Sequence, residues 1–175
     1  MTTAVHAPTL TLLLFRHAKA ERGHAALPDE KRPLADRGRV DADAMGRRLA
    51  LDGLMPDLVL CSPATRTLET LALAAPHWAP APRTNIVTDL YDRMSGSYLD
   101  IIQAAPAVQR LMLVAHNSAT ESTARQLCGG GDEAALHSLR TKYPTAAIAV
   151  VNFTAERWRD IQPGQGTLSA FLTPE

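Results

Sequence analysis

The apolar residues of the chain gather in short runs separated by charged or proline-bearing stretches, and these runs set the order of elements. Residues 10–15 form an apolar run of strand length, as expected of a central strand covered on both faces. Residues 18–34 are rich in charge, carry Pro28 and Pro33, and read as a long surface loop. Residues 36–52 have the apolar spacing of a helix, with Val40, Ala44, Met45 and Leu49 on one side and Gly53 as its stop. A second buried strand is expected over 57–61. Ser62 then stands at an N-cap position with Pro63 at the first helical residue, and the helix should run to about Ala75. The stretch 76–82 holds three prolines and should be irregular. Residues 86–90 read as a weak third strand, and 98–105 as helical. Residues 110–115 are a strong fourth strand ending at His116. Ser118 and Glu121 have capping-box spacing before a helix that ends at Leu127, against Gly129, Gly130 and Gly131. A last strand pair is expected over 147–153 and 158–161, followed by a tail of little pattern.

Strands alternating with helices argue for an α/β fold, a three-layer α/β/α sandwich around a mostly parallel central sheet. With 175 residues and no repeat or linker, the chain reads as a single domain over 1–175 with its core in about 10–160. Lys plus Arg and Asp plus Glu are 18 each, so the net charge is zero. A general nucleic-acid or membrane-surface binder would carry a cationic excess, so neither partner is expected and any basic site must be local. Cys61 and Cys128 have no metal-ligand or redox spacing and read as reduced and packed. The run at 10–15 is too short to span a bilayer and no Lys or Arg precedes it, so a cytoplasmic location is expected.

In open parallel sheets, ligands bind beyond the carboxyl ends of the strands. Three such ends carry unusual residues: Arg16 and His17 after the first, Ser62 and Arg66 after the second, His116 after the fourth. Each alone has an ordinary structural explanation. Together, two arginines, two histidines and one or two helix N-termini aimed at one spot suit a phosphoryl dianion, since the planar arginine fork matches its oxygens. Neighbouring cations would keep a histidine neutral and nucleophilic.

The ordered set of Arg16-His17-Ala18-Lys19, Arg32-Pro33-Leu34 with Arg37-Gly38, residues 56–63 with Arg66 and Thr70, Leu90-Tyr91, His116, and Tyr143 with its following residues resembles the histidine phosphatase superfamily. That superfamily is also called phosphoglycerate-mutase-like, and within it the chain is most similar to the short SixA-type phosphohistidine phosphatases. The resemblance implies that His17 is a nucleophile forming a transient phosphohistidine. Arg16, Arg66 and His116 would cage the phosphoryl oxygens, and no metal or other cofactor is implied. The expected substrate is a phosphorylated protein bearing phosphohistidine, or a small phosphate ester at the same site; a non-catalytic phosphate-binding module is the third reading. The six histidines include no HxxxH or HExxH spacing, which agrees with a metal-free site.

Two positions depart from the family pattern. Ala18 stands where glycine is usual, restricting positive φ. The general acid is open: the nearest match is Asp92, with Lys19 and Glu21 as rivals, and a weakly provided acid suits a labile P–N bond. Lys19, Ser62 and Asn117 are candidate ligands of the bound group. The short chain leaves only residues 18–34, 76–85 and 92–97 to surround the pocket, which predicts a shallow, open site. The sequence sets no expectation for oligomeric state.

Overall fold

A computed structural model describes residues 9–174. One sheet of seven strands runs in the order β3-β2-β4-β1-β6-β7-β5, where β1 is Thr9–Arg16, β2 Leu58–Cys61, β3 Arg83–Ile86, β4 Arg110–Ala115, β5 Cys128–Gly131, β6 Ile148–Thr154 and β7 Gly166–Leu172. All neighbours pair in parallel except those of β6, which runs antiparallel to both β1 and β7.

The uniform apolarity of β1 follows from burial on both faces. Leu12 and Leu14 join one core with Leu111, Leu113 and Val151; Leu13 and Phe15 join the other with Met112, Val114 and Val150. Helices α1 (Asp36–Leu51) and α2 (Thr65–Ala74) close the second core through Ala42, Met45, Leu49, Leu71 and Ala74. The first core is covered by α3 (Asp89–Asp92), α4 (Leu99–Gln103), α5 (Ala119–Leu127) and α6 (Glu133–Thr141), through Leu90, Ile102, Leu127 and Leu139. The result is the expected three-layer α/β/α sandwich.

Register places the site. Arg16 pairs with Ala115 and Cys61 with Val114, so the residues following β1, β2 and β4 emerge at one level of one sheet edge. Pairing continues past the strand ends: the His17 amide donates to Ala115 O at 3.0 Å, the Ser62 amide to Val114 O at 3.0 Å, and Ala146 N to His17 O at 3.1 Å. The backbone that bears these side chains is therefore fixed on both sides.

Several expectations need correction. The second helix begins at Thr65, not after Ser62: the Ser62 hydroxyl bonds to His116 and accepts only the amide of Ala64, at 3.4 Å, and Ala64 holds the N-cap position without a side-chain bond. Ser118 does sit at the N-cap of α5, but its side chain makes no capping bond. Asn117 Oδ1 instead accepts from Glu121 N at 3.3 Å. The third strand is Arg83–Ile86, ending where it was expected to begin, and an edge position explains its exposed, weakly apolar composition. Helix α5 ends at Leu127 as expected, but the triple glycine beyond it is part of strand β5 and is followed by α6, whose N-cap Asp132 accepts from Ala135 N at 2.8 Å. Trp158–Asp160 is a 3-10 turn, and the partner of β6 is β7, inside the stretch read as a patternless tail.

The loop 18–35 is folded onto α1 and α2. Ala35 N donates to Lys19 O at 2.9 Å, Glu21 N to Pro33 O at 2.9 Å, and Leu34 N to Glu69 Oε2 at 2.6 Å. Gly38 permits this approach, since a Cβ there would lie 2.0 Å from Lys19 O. An exposed helical glycine normally gains about 1 kcal/mol on becoming alanine. Gly38→Ala should instead destabilise by roughly 1–3 kcal/mol through overpacking, read from the urea midpoint. A stabilised variant would contradict the packing described.

Candidate active site

His17 is held in one tautomer. Its Nδ1 lies 2.7 Å from Ala18 O, which can only accept, so Nδ1 carries the proton and Nε2 keeps its lone pair. The Ala18 amide donates to Thr70 Oγ1 at 3.0 Å, and Thr70 is itself anchored to Arg66 O, so β1 and α2 are joined through this residue. Ala146 is the one non-glycine with positive φ among the described residues, so Ala18 takes the glycine position without backbone strain there.

Arg16 is aimed by Tyr143. The phenol of Tyr143 donates to Leu14 O and accepts from Ala149 N, fixing that residue between β1 and β6, and its carbonyl accepts from Arg16 Nη1 at 2.7 Å. Arg66, the second residue of α2, is buried and gives Nη1 to Asp29 O at 2.8 Å and Nη2 to Asp29 Oδ2 at 3.1 Å. His116, immediately after β4, has Nε2 at 2.7 Å from Ser62 Oγ, and its ring centroid is 5.3 Å from that of His17.

Three buried side-chain polar atoms lack a partner among the described residues: Arg16 Nε, Arg66 Nε and His116 Nδ1. All three belong to this one site. Burying such groups unpaired costs of the order of 1–3 kcal/mol each, so their convergence marks a place built for a polar ligand with several acceptor oxygens.

Burial lowers the His17 pKa to about 4 against the opposing Ala18 bond, with Arg66, Arg16 and Arg32 adding to the drop. His116 is pushed down to about 3, first by burial and then by His17 and Arg66. Both imidazoles are thus neutral at pH 7. Below the ordinary value of 6.5 the unfolded chain binds protons that the folded chain refuses, so folding stability falls as pH drops from 6.5 toward 4. The His116 share of that loss should be on the order of a few kcal/mol. Comparing unfolding free energies at pH 7 and pH 4.5 should therefore show a flatter dependence in His116→Gln than in the parent; parallel losses would refute a buried neutral His116.

The cleft has a volume of about 400 Å³ and is lined by Arg16, His17, Lys19, Arg66, His116 and Asn117 together with Asp29, Arg32, Met94 and Thr145. Its inner wall is buried, while Lys19 and Asp29 at its rim are exposed, in keeping with the open site expected. Ser62 lies behind His116 rather than in the lining. Asn117 lines the cleft and gives Nδ2 to Glu121 Oε2 at 3.2 Å and to Tyr143 O at 3.3 Å. Asp92 is exposed at the end of α3 and does not line the cleft, and neither does Glu21. The carboxylate brought to this place is Asp29. The preceding residue of α3, Tyr91, donates its hydroxyl to Asp29 Oδ2 at 3.1 Å and sets its ring edge-on to His116. Asp29, Arg32 and Tyr91 escaped the sequence reading as site residues. The Asp29–Arg32 spacing of one 3-10 turn was a usable sign of an ion pair, but nothing local tied it to Arg66. Among the described residues, no group of three or more His, Cys, Asp or Glu is placed to hold a metal ion, and no helix is long and apolar enough to cross a membrane.

Comparison with known proteins places this geometry. The family model of the histidine phosphatase superfamily (branch 1) matches residues 12–85, which include Arg16, His17 and Arg66. An uncharacterized protein of Mycobacterium tuberculosis is 33% identical over 91% of this chain and 99% of its own. Among solved structures, a candidate phosphohistidine phosphatase SixA from Agrobacterium tumefaciens is 30% identical, with a TM-score of 0.79 over 95% of this chain and 99% of that one. A further candidate SixA, from Nakamurella multipartitia, is 27% identical with a TM-score of 0.79, covering 96% of this chain and 98% of that one.

Proposed function

Because the chain belongs to the histidine phosphatase superfamily and is a phosphatase of that type, we propose that it acts through a covalent phosphohistidine at His17 Nε2, with phosphohistidine on a partner protein as its substrate. The observation that carries this reading is the ring of unpartnered nitrogens, Arg16 Nε, Arg66 Nε and His116 Nδ1, around an imidazole whose Nε2 is free.

A phosphoryl group entering the cleft gives each of these nitrogens an oxygen. Arg16 and Arg66 offset its charge, and His116 adds a neutral contact on the side held by Ser62. With Nδ1 bonded to Ala18 O, Nε2 of His17 attacks phosphorus in line with the departing atom, and the P–N bond forms as the bond to the leaving group breaks. Charge spreading over the phosphoryl oxygens is met by donors already in place, which is where positioned cations lower a barrier most. Water then attacks the phosphorus of the intermediate, the Nε2–P bond breaks, and phosphate leaves.

The substrate class is supported by the shape of the site and by the SixA likeness. The cleft opens between exposed side chains and is shallow enough for an imidazole ring carried on another protein. Lys19, at the rim, is placed to meet the phosphoryl group or its carrier. In a side-by-side rate comparison, a phosphohistidine-bearing protein should be hydrolysed with higher kcat/KM than a phosphoserine peptide or simple sugar phosphates. A sugar phosphate turned over fastest would favour a small-molecule ester as the substrate.

A further inference from the structure

We propose that Asp29 handles the proton of the reaction. It is ionised and latched onto Arg66 in the unliganded protein, and takes up a proton when a phosphoryl dianion displaces it. It then serves as acid toward the leaving group and base toward water. This rests on the covalent mechanism proposed above and adds the proton donor for which Asp92 is misplaced.

The latch occupies the edge of Arg66 that a phosphoryl group needs. Nε and Nη2 lie on one side of the guanidinium and form its bidentate edge. Nε is unpartnered, whereas Nη2 already bonds Asp29 Oδ2 at 3.1 Å and touches Met94 Sδ at 3.8 Å. A phosphoryl group binding across this edge competes with that carboxylate oxygen for Nη2 and brings its own negative charge beside it, while the Asp29 carbonyl can keep its 2.8 Å bond to Nη1. The carboxyl, 48% exposed, is held by side chains alone, Arg32, Arg66 and Tyr91, whereas its backbone is fixed by a 3-10 turn in which Lys31 N donates to Pro28 O and Arg32 N to Asp29 O. A displaced Asp29 therefore stays at the mouth of the cleft. The leaving group must be there too, because the inner wall is made of half-buried Arg16 and buried His17, Arg66 and His116.

Asp29 is the one carboxylate among the residues lining the cleft. The charged and titratable groups around it are Arg32 at the end of its own turn, Arg66 from α2, Tyr91 from α3, and Lys19 with the neutral rings of His17 and His116 in the same cleft. In the unliganded protein, partial burial pushes the carboxyl up, but Arg66 and the hydrogen bonds from Arg32, Arg66 and Tyr91 outweigh it and hold Asp29 below the usual carboxylate range. A dianion at Arg66 removes that cation's support and adds like charge beside the carboxylate, both of which favour uptake of a proton. In the first step that proton passes to the leaving oxygen or nitrogen as its bond to phosphorus breaks, leaving a carboxylate. In the second, the carboxylate takes a proton from water as the oxygen bonds to phosphorus. The Nε2–P bond then breaks, its electron pair returning to His17.

The test is Asp29→Asn, followed in single turnover with para-nitrophenyl phosphate, whose leaving group departs unaided, and with an alkyl phosphate, whose leaving group does not. First-step release should fall by about 10²-fold or more for the alkyl ester and by less than about tenfold for the aryl ester. Inorganic phosphate at pH 7 should bind the variant about tenfold more tightly, since the competing carboxylate is gone. Asp29→Glu should recover part of the alkyl rate, and Asp92→Asn should match the parent. Equal losses on both esters, or no loss on either, would overturn the role of Asp29, as would unchanged or weaker phosphate binding. A burst of aryl release that persists in His17→Ala would instead overturn the covalent mechanism on which this role rests.

Discussion

Replacing His17 with alanine is expected to abolish turnover of para-nitrophenyl phosphate, lowering kcat by roughly 10⁴-fold or more, as loss of a nucleophile does elsewhere. The protein should remain folded. The backbone groups of His17 are bonded to Ala115 and Ala146, and neither bond needs the side chain. The ring makes one polar contact, to Ala18 O, so its removal leaves an acceptor that water in the vacated space can reach. The expected signature is therefore an unchanged thermal midpoint, within a few degrees, together with lost chemistry. Inorganic phosphate should still bind, because Arg16, Arg66 and His116 remain. Retention of more than a hundredth of parental kcat would mean that another atom attacks phosphorus.

Arg66→Ala should be the second most damaging change, with kcat/KM reduced by about 10³-fold, in the range found when a guanidinium that stabilises a transferring phosphoryl group is lost. Two effects act together. The transition state loses its bidentate cation, and Asp29 loses the partner that holds it, leaving a carboxylate to repel the incoming dianion. Arg66→Lys should recover little, since a point charge cannot replace the Nε–Nη2 edge. Combining Arg66→Ala with Asp29→Asn should be less harmful than the sum of the two, because the uncompensated carboxylate is gone. Steady-state kinetics on the four proteins reads this directly. A lysine variant as active as the parent would show that charge alone, not the fork, is what the phosphoryl group uses.

How much of this was legible in the sequence depended on burial. The strands β1, β2 and β4 are covered on both faces, so their apolar runs were unmistakable, and their ends carry Arg16, His17, Ser62 and His116. Helix α1 likewise kept its expected bounds to within a residue. Strand β7 is half exposed and built from Gly, Thr, Ser and Ala as much as from Leu and Phe, which left a pattern too weak to compete with a loop reading. Strand β5 is glycine because a Cβ at Gly129 or Gly131 would collide with the backbone of the 164 or 168 position, and glycine runs look like breaks until that neighbour is known. At the site, the fixed offsets of Arg66 and His116 from their strands were readable. The capture of Ser62 by His116 was not, since the two are 54 positions apart, and nor was the Asp29–Arg66 contact across 37. Long-range pairs of polar side chains leave no periodic trace in a sequence; they arise only once the sheet has brought its strand ends level.

The measurement that tests the central claim most directly is a rapid-quench experiment with labelled phosphate ester, followed by mapping of the adduct. The account predicts one acid-labile, alkali-stable phosphoryl group per chain, on Nε2 of His17, formed before the first turnover ends and absent from His17→Ala. An adduct on His116 or another residue, or brisk turnover with no adduct at any quench time, would contradict it.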